Sequence, residues 1–302
     1  MKKICAVIVT YNRPELLCRC VKKLGEQDYP IDVLIYDNHS TKDTRGELEK
    51  EQLLTENVTY YYAETNTGGS GGFHNGMKMA MEKGYDALLL LDDDGYAVNV
   101  NTVSLLVKEW EKLGTDNCIL NSLVVSDPET LNLSFPLNRE FDGNKVKEWA
   151  KDGLLKDLIS PFNGTFVTAE VINNIGYPIK EFFVYGDETE YYLRALHSGV
   201  QLYTVVESVY FHPTLVVEKR RFLWRKISIS VVPLWKTYCS ARNTMYFVKK
   251  YHGRKELIKR KCRIYLGCLY APKNKWAHYK EARKGIKDGL KGDFSRKLDL
   301  SK

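Results

Sequence analysis

The sequence predicts an α/β fold: a mostly parallel, Rossmann-like, doubly wound sheet with helices on both faces, followed by a basic helical C-terminal tail. Three observations carry that expectation. Apolar runs at 4–10, 31–36, 57–62 and 88–91 alternate with helical segments. Polar and glycine-rich residues gather just after these runs, where the carboxyl ends of parallel strands bind ligands. Charge is divided along the chain. Residues 1–218 hold 20 Lys+Arg against 33 Asp+Glu, whereas 219–302 hold 25 against 5.

Residues 4–10 (ICAVIVT) read as a first strand buried on both faces. Asn12 and Pro14 start a helix, with proline near the first helical position. Leu16, Leu17, Cys20, Val21 and Leu24 give that helix its apolar face. Residues 31–36 form a second strand ending in Asp37 and Asn38, and a polar helical segment follows. Residues 57–62 form a third strand. A glycine-rich loop, Gly68, Gly69, Ser70, Gly71 and Gly72, leads to a helix from about 73 to 83, closed by Gly84. The run Leu88–Leu91 then ends in Asp92, Asp93 and Asp94. Beyond 100 the pattern predicts a helix at 101–113 and a strand at 118–125. Residues 126–160 read as a polar, irregular insertion. A helix follows at 169–175, then a helix opening at Gly186-Asp187-Glu188, and a strand at 202–211 that ends at His212.

A chain of 302 residues suits one large domain with an appendage. We expect one domain over 1–218 and a basic helical region over 219–302. The seven cysteines have no CxxC or zinc-type spacing, so free thiols of a reducing cytoplasm are expected. The N-terminus is broken too early, by Tyr11-Asn12-Arg13-Pro14, to read as a signal peptide. No stretch approaches the roughly 18 apolar residues of a membrane span. The tail mixes basic residues with Trp224, Trp235, Trp276 and tyrosines, which suits an anionic membrane surface. A solvated helical face is the plainer alternative. No motif accompanies the charge to suggest nucleic acid.

Three successive carboxylates repel one another unless a counter-charge is present. A divalent cation supplies one, and oxygen ligands suit Mg²⁺ or Mn²⁺. A solvated acidic turn is the alternative. Asp92 and Asp94 fall on one side of an extended segment. The four glycines in 68–72 permit a sharp turn and close approach of backbone to phosphate or sugar oxygens. A flexible turn would read the same. Asp37 reads equally as a helix cap or turn residue. His74 and Asn75 suit either sugar contact or an exposed helical position.

The order of these features is more specific than any one of them. A strand ending Thr10-Tyr11-Asn12-Arg13 is followed by Asp37-Asn38, the glycine run, Asp92–Asp94, Gly186-Asp187-Glu188 and His212. Over about 4–213 this resembles the family 2 glycosyltransferases, which have the GT-A fold. The stretch Asn66–Phe73 is similar to the subgroup containing galactofuranosyltransferases, with rhamnosyltransferases nearby.

The resemblance implies that Thr10, Tyr11, Arg13 and Asp37 hold the nucleotide, with Gly68, Gly69, Gly71 and Gly72 facing the donor. It implies Asp92, Asp94 and His212 as metal ligands, with Asp92 also near the diphosphate and Asp93 near sugar or ribose hydroxyls. Mn²⁺ or Mg²⁺ is the implied cofactor, and a histidine ligand fits Mn²⁺ better. Asp187 and Glu188 match the catalytic acidic pair. Glu188 is the implied general base and Asp187 the acceptor-binding residue, although Glu stands at 188 where relatives often have Asp.

The implied reaction is inverting, metal-dependent transfer of a sugar from a nucleotide-sugar donor to a hydroxyl of a lipid-linked glycan. UDP-galactofuranose is the implied donor and dTDP-rhamnose its rival. The enzyme would sit peripherally at the inner face of the cell membrane, and self-association stays open. A non-catalytic nucleotide-sugar binding or scaffold protein is the rival from another class. A nucleotidyltransferase shares the sheet and the metal carboxylates. Its glycine- and arginine-rich loop is missing at TYNRPE.

Overall fold

The computed structural model describes residues 1–214, 233–271 and 273–296, together with the backbone of 219–222 and 225–228. The chain opens with β1 (Ile4–Thr10), α1 (Pro14–Gly25), β2 (Asp32–Asp37), α2 (Thr44–Lys50), β3 (Val58–Tyr62), α3 (Gly68–Glu82) and β4 (Ala87–Asp92). A short β5 (Tyr96–Ala97), α4 (Thr102–Leu113) and a long β6 (Cys118–Asp127) follow. Next come β7 (Asn132–Leu137), β8 (Glu140–Asp142), α5 (Gly143–Glu148), β9 (Leu154–Lys156), β10 (Thr165–Thr168) and α6 (Ala169–Ile175). A 3₁₀ turn at Lys180–Phe182 precedes α7 (Asp187–His197) and β11 (Gln201–Phe211). The remainder is β12 (Lys219–Phe222), β13 (Arg225–Ser228), α8 (Leu234–Tyr251), α9 (Arg254–Tyr270) and α10 (Lys275–Lys291).

The main sheet runs β3-β2-β1-β4-β10-β6-β11-β5. Strands β3, β2, β1 and β4 are mutually parallel. Strand β10 enters antiparallel between β4 and β6, and β6 pairs in parallel with β11, so the sheet is mixed. Alternation along β1 divides the core. Ile4, Ala6 and Ile8 pack with Leu17 and Leu24 of α1 and with Val103 and Trp110 of α4. Cys5, Val7 and Val9 pack with Phe73, Met77 and Ala80 of α3 on the other face. Leu88–Leu91 are all buried and alternate between the same two layers. Each contributes roughly 1.5–3 kcal/mol of burial. This packing aligns the ends of β1 and β4, where the polar residues begin.

Two sequence expectations need correction. The glycine run is not a loop. It forms the first turns of α3, which begins at Gly68. The reason is packing: a Cβ at Gly72 would lie 2.5 Å from Val9 Cγ1, and one at Gly76 would lie 2.7 Å from Val7 Cγ1. The glycines let the helix lie directly on β1. The segment 126–160 is also ordered. Its strands share a small core in which Leu133, Leu137, Val146 and Leu155 meet Leu123, Val125, Val206 and Val209.

The chain divides into two compact units. One holds 1–180 and 191–214, the other 181–190 and 215–302. In the second, α8 and α10 cross closely, because a Cβ at Gly285 would lie 2.5 Å from Tyr238 O and one at Gly289 closer still to Arg242 O. Ala241, Met245, Cys268, Ala282 and Ile286 form its core. All seven cysteines are free thiols. Among the described residues no helix is long and apolar enough to cross a membrane. Trp224 lies outside the described residues.

Candidate active site

The strand ends of the first unit are laced together by asparagines. Asn12 takes φ +60°, and its Oδ1 accepts from the amides of Thr41 (2.7 Å) and Lys42 (3.1 Å). Asn38 Oδ1 accepts from the Thr67 amide at 2.9 Å, and its own amide donates to Thr10 O. The loops after β1, β2 and β3 are thus tied by short polar bridges. Sequence reasoning did not single out Asn12 or Asn38 for this role. The signal available was an asparagine immediately beyond a buried strand, a residue type that tolerates left-handed backbone and bonds to local amides.

Asp37 is fully buried at the end of β2, with Oδ1 accepting from the Ser40 amide (2.8 Å) and Oδ2 from the Tyr60 hydroxyl (2.6 Å). Burial and this bond push the Tyr60 hydroxyl far above its ordinary range. Both oxygens of Asp37 therefore stabilise the turn, and each retains further acceptor capacity.

The three aspartates separate by role. Asp93 is 4% exposed and turns toward β1. Its Oδ2 accepts from the Thr10 hydroxyl at 2.7 Å and its Oδ1 from Arg13 at 3.1 Å. Burial pushes the Asp93 carboxyl up to about 6, against the opposing pull of Arg13 and Thr10. Arg13 also reaches Asp94 Oδ2 at 2.8 Å, so this guanidinium is one counter-charge for the cluster. Tyr11, next to it, is 44% exposed.

Asp92 and Asp94 converge with His212. One ligand atom from each of the three lies within 4.8 Å of the others. Strand β11 delivers His212. Its amide donates to Val125 O, and its ring Nδ1 lies 2.8 Å from Pro213 O, which leaves Nε2 for the carboxylates. Nε2 is 3.2 Å from Asp94 Oδ1. Burial opposes a charged imidazole, but Asp94, with Asp92 behind it, outweighs burial and raises the His212 pKa. Burial likewise opposes ionised Asp94, but the His212 ring and Arg13 outweigh it and lower the Asp94 pKa.

Asp94 Oδ1 is buried without a well-aligned hydrogen-bond donor. A buried carboxylate oxygen in that state, facing a second carboxylate and an imidazole nitrogen, fits a divalent cation. Two oxygens and one nitrogen also leave coordination positions open for a ligand's oxygens.

The glycines divide by environment. Gly71 and Gly72 are buried against Thr67 and Val9, whereas a Cβ on Gly69 would meet open space. Gly68 takes φ +71° at the helix start. The neighbouring polar side chains are engaged within the first unit: Ser70 with Ile179 O, His74 with Pro178 O, and Asn75 with Tyr36 Oη.

Asp187 and Glu188 open α7 and belong with the second unit. Asp187 is buried and Glu188 half-buried. Glu190 in the same turn is buried and accepts from Tyr251 Oη at 2.8 Å.

Residues 5–168 match glycosyl transferase family 2. The galactofuranosyltransferase GlfT1 of Mycobacterium tuberculosis is 31% identical over 218 residues, covering 70% of each chain. The dTDP-rhamnosyl transferase RfbF of Shigella flexneri is 25% identical, covering 82% of this chain and 81% of its own. Among solved structures, S. aureus TarS 1-349 superposes with a TM-score of 0.57 at 15% identity, over 99% of this chain and 76% of that one. The Pyrobaculum calidifontis mannosyltransferase PcManGT, solved with GDP-Man and Mn²⁺, gives 0.55 at 16% identity, over 98% and 76%. At these identities the structures speak for the fold, which is the GT-A glycosyltransferase architecture. With the family match and the GlfT1 identity, they establish that this chain belongs to glycosyl transferase family 2, as a galactofuranosyltransferase-like enzyme.

Proposed function

We propose that the protein is an inverting, metal-dependent glycosyltransferase that moves galactofuranose from UDP-galactofuranose to a hydroxyl of a lipid-linked glycan. The observation that carries this reading is the convergence of Asp92, Asp94 and His212 at the strand ends, in a chain 31% identical to a galactofuranosyltransferase. Asp92, Asp94 and His212 would hold Mn²⁺ or Mg²⁺, and a cation bound there would supply positive charge to offset the negative charge developing on the departing diphosphate.

The chain's own residues do the rest. Thr10 and Arg13 fix Asp93, which is set to meet sugar or ribose hydroxyls. Tyr11 and Asp37 border the nucleotide, and Gly68, Gly69, Gly71 and Gly72, in the first turns of α3, face the donor. Glu188 removes the proton from the acceptor hydroxyl as that oxygen attacks the anomeric carbon, and Asp187 holds the acceptor. The bond to the diphosphate breaks as the new glycosidic bond forms, so configuration inverts.

The test is a donor screen with purified protein, Mn²⁺ and alkyl glycosides as soluble stand-ins for the acceptor. The donors are UDP-galactofuranose, UDP-galactopyranose, UDP-glucose and dTDP-rhamnose. Release of UDP from the furanose donor alone is expected. Preference for dTDP-rhamnose, the sugar nucleotide in the name of the Shigella relative, would overturn the sugar and leave the mechanism. Nucleotide release from none of the four would contradict the reading.

The second unit is proposed to hold the enzyme at the inner face of the cell membrane. Lys255, Lys259, Lys261 and Arg263 are exposed on α9, and Ile258, Leu269 and Trp276 are exposed large apolar side chains of α9 and α10. Basic residues near an anionic surface contribute about 1 kcal/mol each. Binding to phosphatidylserine vesicles is expected at ~0.1 M salt and release at ~0.5 M, where the Debye length shortens well below 10 Å. Binding that ignores salt would instead mean hydrophobic insertion.

A further inference from the structure

The ten residues 181–190 lie between sheet-domain segments in sequence, yet they pack with the C-terminal helices. Helix α8 holds their backbone directly. Arg242 is 1% exposed, and its Nη2 donates to Glu181 O (2.5 Å) and Phe182 O (3.2 Å). Asn243 is fully buried, and its Nδ2 donates to Phe182 O (3.0 Å), Val184 O (3.0 Å) and Tyr185 O (2.8 Å). The two side chains are coupled, because Arg242 Nε donates to Asn243 Oδ1 at 2.9 Å.

The backbone gripped in this way is strained. Phe183 and Tyr185 take φ of +65° and +67°, which is costly for bulky side chains. Gly186 takes φ +81°, and a Cβ there would come within 2.9 Å of Phe247 on the same helix. At Phe183 and Tyr185 such conformations persist only where surrounding contacts over-determine them, whereas glycine adopts its own at no steric cost. Directly after Gly186 the chain presents Asp187 and Glu188. Helix α8 is itself seated by the glycines of α10, since Gly289 lies against the carbonyl of Arg242. Burying a guanidinium against carbonyl oxygens is an expensive way to build a core. Its result is a loop with one backbone course.

We propose that Arg242 and Asn243 are positioning residues for the acidic pair, clamping the backbone of 181–185 and so fixing where Asp187 and Glu188 stand. The C-terminal helical unit is then part of the catalytic apparatus and not solely a membrane anchor. This inference rests on the reading of Asp187 and Glu188 as the catalytic acids.

The test uses the full chain, with UDP-galactofuranose, Mn²⁺ and an alkyl glycoside acceptor. Asn243→Asp preserves size and the acceptor for Arg242 Nε but removes the donors to three carbonyls. Arg242→Lys keeps the charge and loses the fork. Each is expected to lower kcat roughly 10- to 100-fold, the scale of a small misplacement of a reacting group. The KM for the donor and the UDP affinity should stay within about twofold. Amide hydrogen exchange should quicken over 182–190 and not in β1 or β4. The double variant Asn243→Asp/Glu188→Gln should be no slower than Glu188→Gln alone, because the clamp acts through that carboxylate. Losses that multiply, or a donor KM that rises with the fall in kcat, would mean general destabilisation and overturn the proposal. Should Asn243→Asp fail to fold, Asn243→Ser removes the same donors without adding charge. Wild-type kcat in the clamp variants, with Glu188→Gln or Asp187→Asn inactive, would refute the clamp alone. Wild-type turnover in both Glu188→Gln and Asp187→Asn would instead remove the acidic-pair reading, and the clamp's catalytic role with it.

Discussion

Glu188→Gln is expected to collapse transfer while leaving donor binding largely intact. The substitution preserves shape and removes a single capacity, that of accepting a proton. A positioned general base contributes typically ~10²–10⁴-fold, so kcat should fall by that factor. Stability should change little, because Glu188 is only half-buried and substitution by the neutral isostere opens no cavity. Single-turnover kinetics with saturating donor, alongside a UDP titration, measure the two quantities separately. A fall in UDP affinity equal to the fall in rate would assign Glu188 to the donor side. If Asp187→Asn is inactive while Glu188→Gln turns over normally, the two acids exchange roles.

Asp94→Ala is expected to abolish metal-dependent nucleotide binding. Loss of groups that merely orient a metal ligand costs 10- to 100-fold in affinity, so loss of a direct ligand should cost at least ~100-fold. Asp94 also bears on Arg13 and His212. The Arg13 side chain is half-exposed, and such a pair is worth at most about 1 kcal/mol after solvent screening. The protein should therefore remain folded, with a melting temperature within several degrees of wild type. The His212 pKa, now held up mainly by Asp94, should fall toward its ordinary value in the variant. Its proton resonances followed against pH would register that change independently of any activity.

The parts of the fold legible in the sequence are those in which one local pattern settles the structure. Strands β1, β2 and β4 are uninterrupted apolar runs between punctuating polar residues, and all three form as strands; β11, an apolar run broken by Glu207 and Ser208, forms as one too. Asp92 and Asp94 were paired by their spacing and His212 was added by its place in the family's order, and the structure brings those three together, although Asp93 and Asp94 lie in a turn beyond the end of β4 and not on an extended segment. What the sequence concealed depends on partners distant along the chain. The glycines at 68–72 carry helix-breaking propensity, and only their fit against Val9 and Thr67 makes them the start of a helix. Short strands in 132–156 have too few apolar residues to register alone, and take their core from β6 and β11. Arg242 and Asn243 read as part of a basic tail. Their partners are backbone carbonyls some sixty residues earlier, and a carbonyl leaves no trace in residue identity.

The proposed cation site of Asp92, Asp94 and His212 would make nucleotide binding depend on the metal. Calorimetric titration of UDP into the wild type with Mn²⁺, into the wild type with chelator, and into Asp94→Ala with Mn²⁺ tests it most directly. Saturable binding is expected in the first titration, with affinity lower by at least ~100-fold in the other two. Equal UDP affinity in all three would contradict it.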